Sequence, residues 1–235
     1  MLEISHISMQ LGGRPVLEDI SFKAENGEIR GLIGYNGVGK TTLMKILCGI
    51  YKPSGGEVLL NGKPVFENPE AKKKSFFMTE ESLYFPGFSM NRMRRFLRGF
   101  YPNWSDHVYD GLTEYFGLNP DAQVSSFSKG MQRQACLTAA LAAGTEMLLL
   151  DEAFDGLDEA MRRELGWLLS RYVKEKNCIM ILSSHNLREL EHMADCIGLL
   201  DNGHLTYDGP VPENLEEFFL KGRNLHAIEW SKIFE

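Results

Sequence analysis

One eight-residue run, Gly34-Tyr35-Asn36-Gly37-Val38-Gly39-Lys40-Thr41, constrains this chain more than any other. It fits the spacing G-x-x-x-x-G-K-[ST]. It lies between a short apolar run, Ile29 to Ile33, and a segment in which Leu43, Met44, Ile46 and Leu47 make one apolar face. These surroundings predict strand, glycine loop and helix in that order, with the helix ending at Cys48-Gly49. Glycines there let the backbone adopt φ > 0, so that successive N–H groups of residues such as Asn36 and Gly37 converge on phosphate oxygens. The helix N-terminus adds a partial positive charge. In such a loop Lys40 reaches the β and γ phosphates of a nucleotide, and Thr41 offers its hydroxyl to Mg²⁺. Thr42 is placed to bond an α-phosphate oxygen. The bland alternative is a tight turn, with Gly34 and Gly39 at its ends and an exposed lysine.

A second run, Met147-Leu-Leu-Leu150-Asp151-Glu152, puts two carboxylates directly after four apolar residues. On a buried strand they stand at its C-terminal end, the edge at which α/β sheets bind ligands. Asp151 then helps hold Mg²⁺ through its water shell, and Glu152 orients or deprotonates the water that attacks the γ-phosphate. Acids often close a strand at a plain turn, so it is the glycine loop that gives this pair its meaning.

The rest of the chain fits an α/β protein. Val16 to Ala24 alternates apolar and polar residues, and Glu57 to Leu60 before Asn61-Gly62 reads as one arm of a hairpin, so the N-terminal section is rich in strands. From about residue 82 to 143 the periods become helical. Met90, Met93, Phe96, Leu97 and Phe100 form one stripe, and Arg92, Arg94, Arg95 and Arg98 form a face expected to be solvated. After Glu152 come a helix from about Glu159 to Lys174, a strand at Cys178 to Ser183, a helix near Asn186 to Met193, and a final helix with a short tail from Asn214. Residues 1–220 are expected to form a single domain and 221–235 the tail. With 25 Lys and Arg against 32 Asp and Glu, the net charge of −7 argues against a broad footprint for nucleic acid. No apolar run approaches the roughly 20 residues of a membrane helix, and no secretory signal opens the chain, so a cytoplasmic protein is expected. Cys48, Cys136, Cys178 and Cys196 lie too far apart for a zinc or disulfide framework and read as small buried hydrophobes.

Between the two site motifs lies Phe127-Ser128-Lys129-Gly130-Met131-Gln132, and after them come Phe154-Asp155-Gly156-Leu157-Asp158 and Ser183-Ser184-His185. In this order the motifs resemble those of the ATP-binding cassette (ABC) family over nearly the whole chain, about Leu2 to Leu220. The resemblance implies a P-loop NTPase fold with a mostly parallel core sheet and a helical insert, and a cassette that hydrolyses ATP with Mg²⁺. It also implies a transmembrane permease on a separate chain, a location at the inner face of the membrane, and an identical or different second cassette. Ser128 and Gly130 would then close over the γ-phosphate held by that second cassette. Asp158 corresponds to the residue of the family's D-loop, and His185 to the switch histidine at the γ-phosphate. Phe100-Tyr-Pro-Asn-Trp104 together with the Ser128 motif looks similar to short bacterial cassettes of antibiotic or antimicrobial-peptide export.

Three positions depart from the family's pattern. Leu11 stands where an aromatic ring usually stacks on adenine, Ala153 stands where proline usually follows the catalytic glutamate, and the segment Phe77 to Glu81 has no glutamine, leaving Glu80 as the candidate metal-sensing residue. An ABC-type ATPase acting on ribosomes or DNA is the alternative. Against it, ribosome-acting members carry two cassettes and DNA-repair members carry long coiled coils. A P-loop kinase or GTPase fits less well, since no N-K-x-D motif is present.

Overall fold

A computed structural model describes residues 1–79 and 86–221. Its strands fall into two sheets. The first is antiparallel, in the order β2-β1-β4-β5, from β1 (Leu2–Leu11), β2 (Arg14–Ala24), β4 (Gly55–Leu60) and β5 (Lys63–Pro64). The second, in the order β10-β9-β3-β8-β7-β6, comprises β3 (Ile29–Ile33), β6 (Ser75–Met78), β7 (Met147–Asp151), β8 (Ile179–Ser183), β9 (Cys196–Asp201) and β10 (His204–Pro210). In it only the edge strand β10 runs antiparallel to its neighbour. The fold is therefore mixed α/β, with a mostly parallel core sheet and a strand-rich N-terminal section.

The parallel strands are apolar runs because both of their faces are buried. On β7, Met147 and Leu149 point into the core shared with the antiparallel sheet, whereas Leu148 and Leu150 point into the core beneath the remaining helices; Ile179 and Ile181 of β8 alternate with Met180 and Leu182 in the same way. Helix α1 (Lys40–Leu47) fills the first core with Leu43, Met44, Ile46 and Leu47. After the short α2 (Pro69–Lys72), the helical section holds α3 (Met90–Arg98), α4 (Asp106–Tyr115) and α5 (Lys129–Ala142). Three more helices, α6 (Glu159–Lys176), α7 (Leu187–Met193) and α8 (Leu215–Lys221), follow the site strands. Among the described residues no helix is long and apolar enough to cross a membrane.

The stripe expected on α3 splits in two. Met90, Met93 and Leu97 are buried, while Phe96 and Phe100 are exposed. Positions 90, 93 and 97 share one face of a 3.6-residue period, 96 falls at its margin, and Phe100 lies beyond the end of the helix at Arg98. Phe96 and Phe100 pack on each other with centroids 4.8 Å apart. The arginine face is also not simply solvated, since Arg94 pairs with Asp106 and Asp110 of α4, and Arg98 with Asp106. Cys48, Cys136 and Cys178 are buried and Cys196 is half-buried.

Candidate nucleotide site

Three adjacent parallel strands deliver the site. β3 runs straight into the glycine loop, β8 pairs with it on one side, and β7 pairs with β8, so the C-terminal ends of all three stand together. Glycine is required at the loop's start because a Cβ on Gly34 would lie 2.5 Å from the Leu200 carbonyl. Gly39, at φ +112°, would drive a Cβ to 2.8 Å from the Leu17 side chain. Lys40 is buried, and its ammonium donates to the carbonyls of Gly34 (2.7 Å) and Tyr35 (3.2 Å), so the charge is held at the mouth of the loop.

Thr41, one residue into α1, donates its hydroxyl to Asp151 Oδ2 at 2.6 Å. The other oxygen, Oδ1, accepts from the Ser183 hydroxyl at 2.5 Å, and Ser183 Oγ in turn accepts the Glu152 N–H at 3.1 Å. Ser183 is the parallel-sheet partner of Asp151, so strand register itself delivers the hydroxyl. Glu152 takes φ +49°, a left-handed conformation that costs a side chain of this kind free energy and that clusters at functional sites. That turn aims its carboxylate at the loop after β8. There Oε2 accepts from the His185 N–H at 3.2 Å and faces His185 Nδ1 at 2.9 Å. Asp155 Oδ1 stands 3.8 Å from the same ring nitrogen.

These groups line one cleft of about 500 Å³, walled by the loop from Tyr35 through Thr42 and by Asp151, Glu152, Asp155 and His185. One lysine faces three carboxylates across it, so an incoming polyphosphate needs a cation beside it. The hydroxyl of Thr41 and the carboxylate of Asp151 are the hard oxygen donors that suit Mg²⁺.

Of the expected site residues, the structure brings together Asn36, Gly37, Gly39, Lys40, Thr41, Thr42, Asp151, Glu152 and His185, with Gly34 behind them as an acceptor for Lys40. It does not bring Ser128, Gly130 or Asp158 into the same cleft. Ser128 caps α5, accepting the Met131 N–H at 3.3 Å, and Asp158 caps α6, accepting the Met161 N–H at 2.9 Å. Gly130 abuts the turn before Asp158: a Cβ on it would lie 3.1 Å from the Gly156 carbonyl. Glu80 and Phe85 lie outside the described residues. Leu11 ends β1 partly exposed, opposite Arg14. Ala153 is buried.

Sequence reasoning missed three contributors. Asp155 and Ser183 sat within motifs quoted for other residues; the signal for Ser183 was its position at the end of the strand beside Asp151. Tyr35, one of the unspecified positions in the loop's spacing, lines the cleft, and its ring packs on Phe219 of α8 with centroids 5.0 Å apart.

Comparisons with known proteins bear on the family and the fold. The family model described as ABC transporter matches residues 17–155. The ABC transporter ATP-binding protein YtrB of Bacillus subtilis is 29% identical over 93% of this chain and 75% of its own length. The lantibiotic transport ATP-binding protein SrtF of Streptococcus pyogenes is 32% identical over 93% and 96%. A solved structure described as the ATP binding subunit of an ABC transporter superposes with a TM-score of 0.82, at 25% identity, over the whole of both chains. The chain belongs to the ABC transporter family and is one of its ATP-binding, ATP-hydrolysing subunits.

Proposed function

We propose that this chain is the motor of a transporter whose membrane-spanning permease is a separate chain, and that two cassettes close on two Mg-ATP to drive it. Subunits of this family work with transmembrane permease components. The observation that carries the proposal is the single cleft in which the Lys40 ammonium, the Thr41–Asp151 pair and the Glu152–His185 pair converge. We assign residues 1–220 to one cassette.

In this reading the backbone N–H groups of the loop and Lys40 bind the β and γ phosphates, and Thr42 bonds the α-phosphate. Thr41 and Asp151 would hold Mg²⁺, which supplies charge neutralisation at the β and γ oxygens. Glu152 orients the attacking water and takes its proton as the new bond to γ-phosphorus forms and the bond to the β-phosphate oxygen breaks. His185 faces the γ-phosphate and keeps the Glu152 carboxylate turned toward the water. Ser128 and Gly130 complete the site of the opposite cassette, which accounts for their standing outside the cleft of their own chain, and Asp158 lies at the same shared face. Glu80 would sense the metal and the permease. The resemblance places the permease contact in the groove between the helical section and the Glu80 segment, and we assign Phe85 and Phe88 to it.

Likeness to SrtF, whose name gives lantibiotic transport, supports antimicrobial or peptide-like substrates, and we propose outward movement. The test is purification of a tagged chain from detergent-solubilised native cells. An integral membrane protein at stoichiometric level is the expected result. Recovery of ribosomes or DNA, with no membrane protein, would replace the transporter with the soluble ABC-type ATPase.

A further inference from the structure

Four polar contacts connect two loops that the site chemistry treats separately. The guanidinium of Arg162, in the first turn of α6, donates from Nε to the Leu157 carbonyl at 2.9 Å, inside the turn that runs from Gly156 to Asp158. Its Nη1 meets Glu189 Oε1 of α7 at 3.1 Å. The second oxygen, Glu189 Oε2, accepts from the Ser184 hydroxyl at 2.6 Å, and Ser184 Oγ accepts the Asn186 N–H at 3.0 Å. Ser184 and Asn186 flank His185. Arg162 is three-quarters buried and Glu189 nine-tenths, so solvent screens the pair less than it would a surface pair. Both residues line a cleft of about 980 Å³ between α6 and α7, two helices that also approach each other at Gly166 and Met193.

We propose that Arg162 and Glu189 are positioning residues that tie the Gly156–Asp158 turn to His185, so that displacement of the turn moves the imidazole relative to Glu152. The contacts form a closed path. Arg162 holds the turn by a backbone carbonyl, Glu189 holds Arg162 by charge, and Ser184 passes the position of Glu189 to the backbone on either side of His185. A guanidinium suits this place because its planar fork serves the carbonyl and the carboxylate at once, which a lysine ammonium cannot do in fixed geometry. Burial raises the Glu189 carboxyl above its ordinary range, against the opposing pull of Ser184 and Arg162. Retaining an ionised group there sacrifices stability that an apolar pair would supply, as expected where position matters more than stability. What pushes on the turn is the second cassette, and that part rests on the function proposed above; the link within one chain does not.

Two measurements test it. In steady-state ATP hydrolysis, Glu189→Gln, which keeps the shape, and Arg162→Met should each lower kcat about tenfold while the KM for ATP changes less than about twofold. Neither should add to the loss already caused by His185→Gln. Losses that multiply with His185→Gln, or a kcat within about twofold of the wild type, would overturn the proposal. The second measurement needs neither turnover nor a second cassette. In histidine-labelled chain without nucleotide, Glu189→Gln and Arg162→Met should shift the ring signals of His185 and leave those of His6, His107 and His204 in place. An unmoved His185 signal refutes the link even if the chain proves inactive.

Discussion

Replacing Ser183 by alanine removes one hydroxyl from the centre of the site and tests whether strand register, rather than the familiar motifs alone, holds the metal-facing carboxylate. Ser183 is fully buried and Asp151 nearly so. The hydroxyl gives Asp151 Oδ1 its 2.5 Å bond, leaving Thr41 as the donor to Oδ2. The Glu152 N–H retains the Ser183 carbonyl at 3.2 Å and is not stranded. The cost is therefore one bond to an ionised, buried acceptor, about 2–3 kcal/mol including the desolvation left uncompensated. For a chain of this size that corresponds to a fall in Tm of roughly 4–12 °C. Freed on one side, the Asp151 carboxylate also sits less well beside Thr41, so the Mg²⁺ concentration giving half-maximal ATPase should rise about tenfold. Thermal unfolding and a Mg²⁺ titration of activity measure both. A Tm shift below about 1 °C together with an unchanged Mg²⁺ midpoint would refute the claim that Ser183 holds Asp151.

Gly39→Ala adds a Cβ at φ +112° and 2.8 Å from Leu17, so nucleotide binding measured by calorimetry should weaken by at least about tenfold. Lys40→Met removes the ammonium at the mouth of the loop, which donates to the Gly34 and Tyr35 carbonyls, and should abolish ATP hydrolysis in a steady-state assay. The Glu189 carboxyl titrates above its ordinary 4.5 in the folded chain, so the folded state binds more protons than the unfolded state from about pH 4.5 up to the raised value. Stability from this group therefore falls as pH rises through that window. Denaturant midpoints for Glu189→Gln should gain on the wild type over the same window and level off above it; a gap independent of pH would contradict this.

Much of the fold was legible because two-sided burial makes a strand read as a plain apolar run. β3, β7 and β8 are such runs, and Leu43 to Leu47 gives α1 away by its period. β1 was harder to see because register shifts between Ile4 and Ile7, with His6 at positive φ, break its alternation. β9 is a lone short apolar run, a length that fits strand or helix equally. The stripe on α3 breaks at Phe96, which falls at the margin of the buried face, and at Phe100, which lies past the helix end at Arg98. In the site, residues named by spacing were visible, whereas Ser183, Asp155 and the Arg162–Glu189 pair depend on which strand ends and helix starts stand side by side. That is information of register and topology, which no local pattern carries.

The central claim is an ATPase in which Glu152 activates water at a site completed by a second cassette. It is tested most directly by comparing wild type and Glu152→Gln for ATP hydrolysis and for solution mass in Mg-ATP. The account predicts a wild type that hydrolyses ATP, and a variant that does not but accumulates as a dimer of 26.6 kDa chains with ATP bound. A Glu152→Gln chain that hydrolyses ATP at the wild-type rate, or that stays monomeric in saturating Mg-ATP, would contradict it.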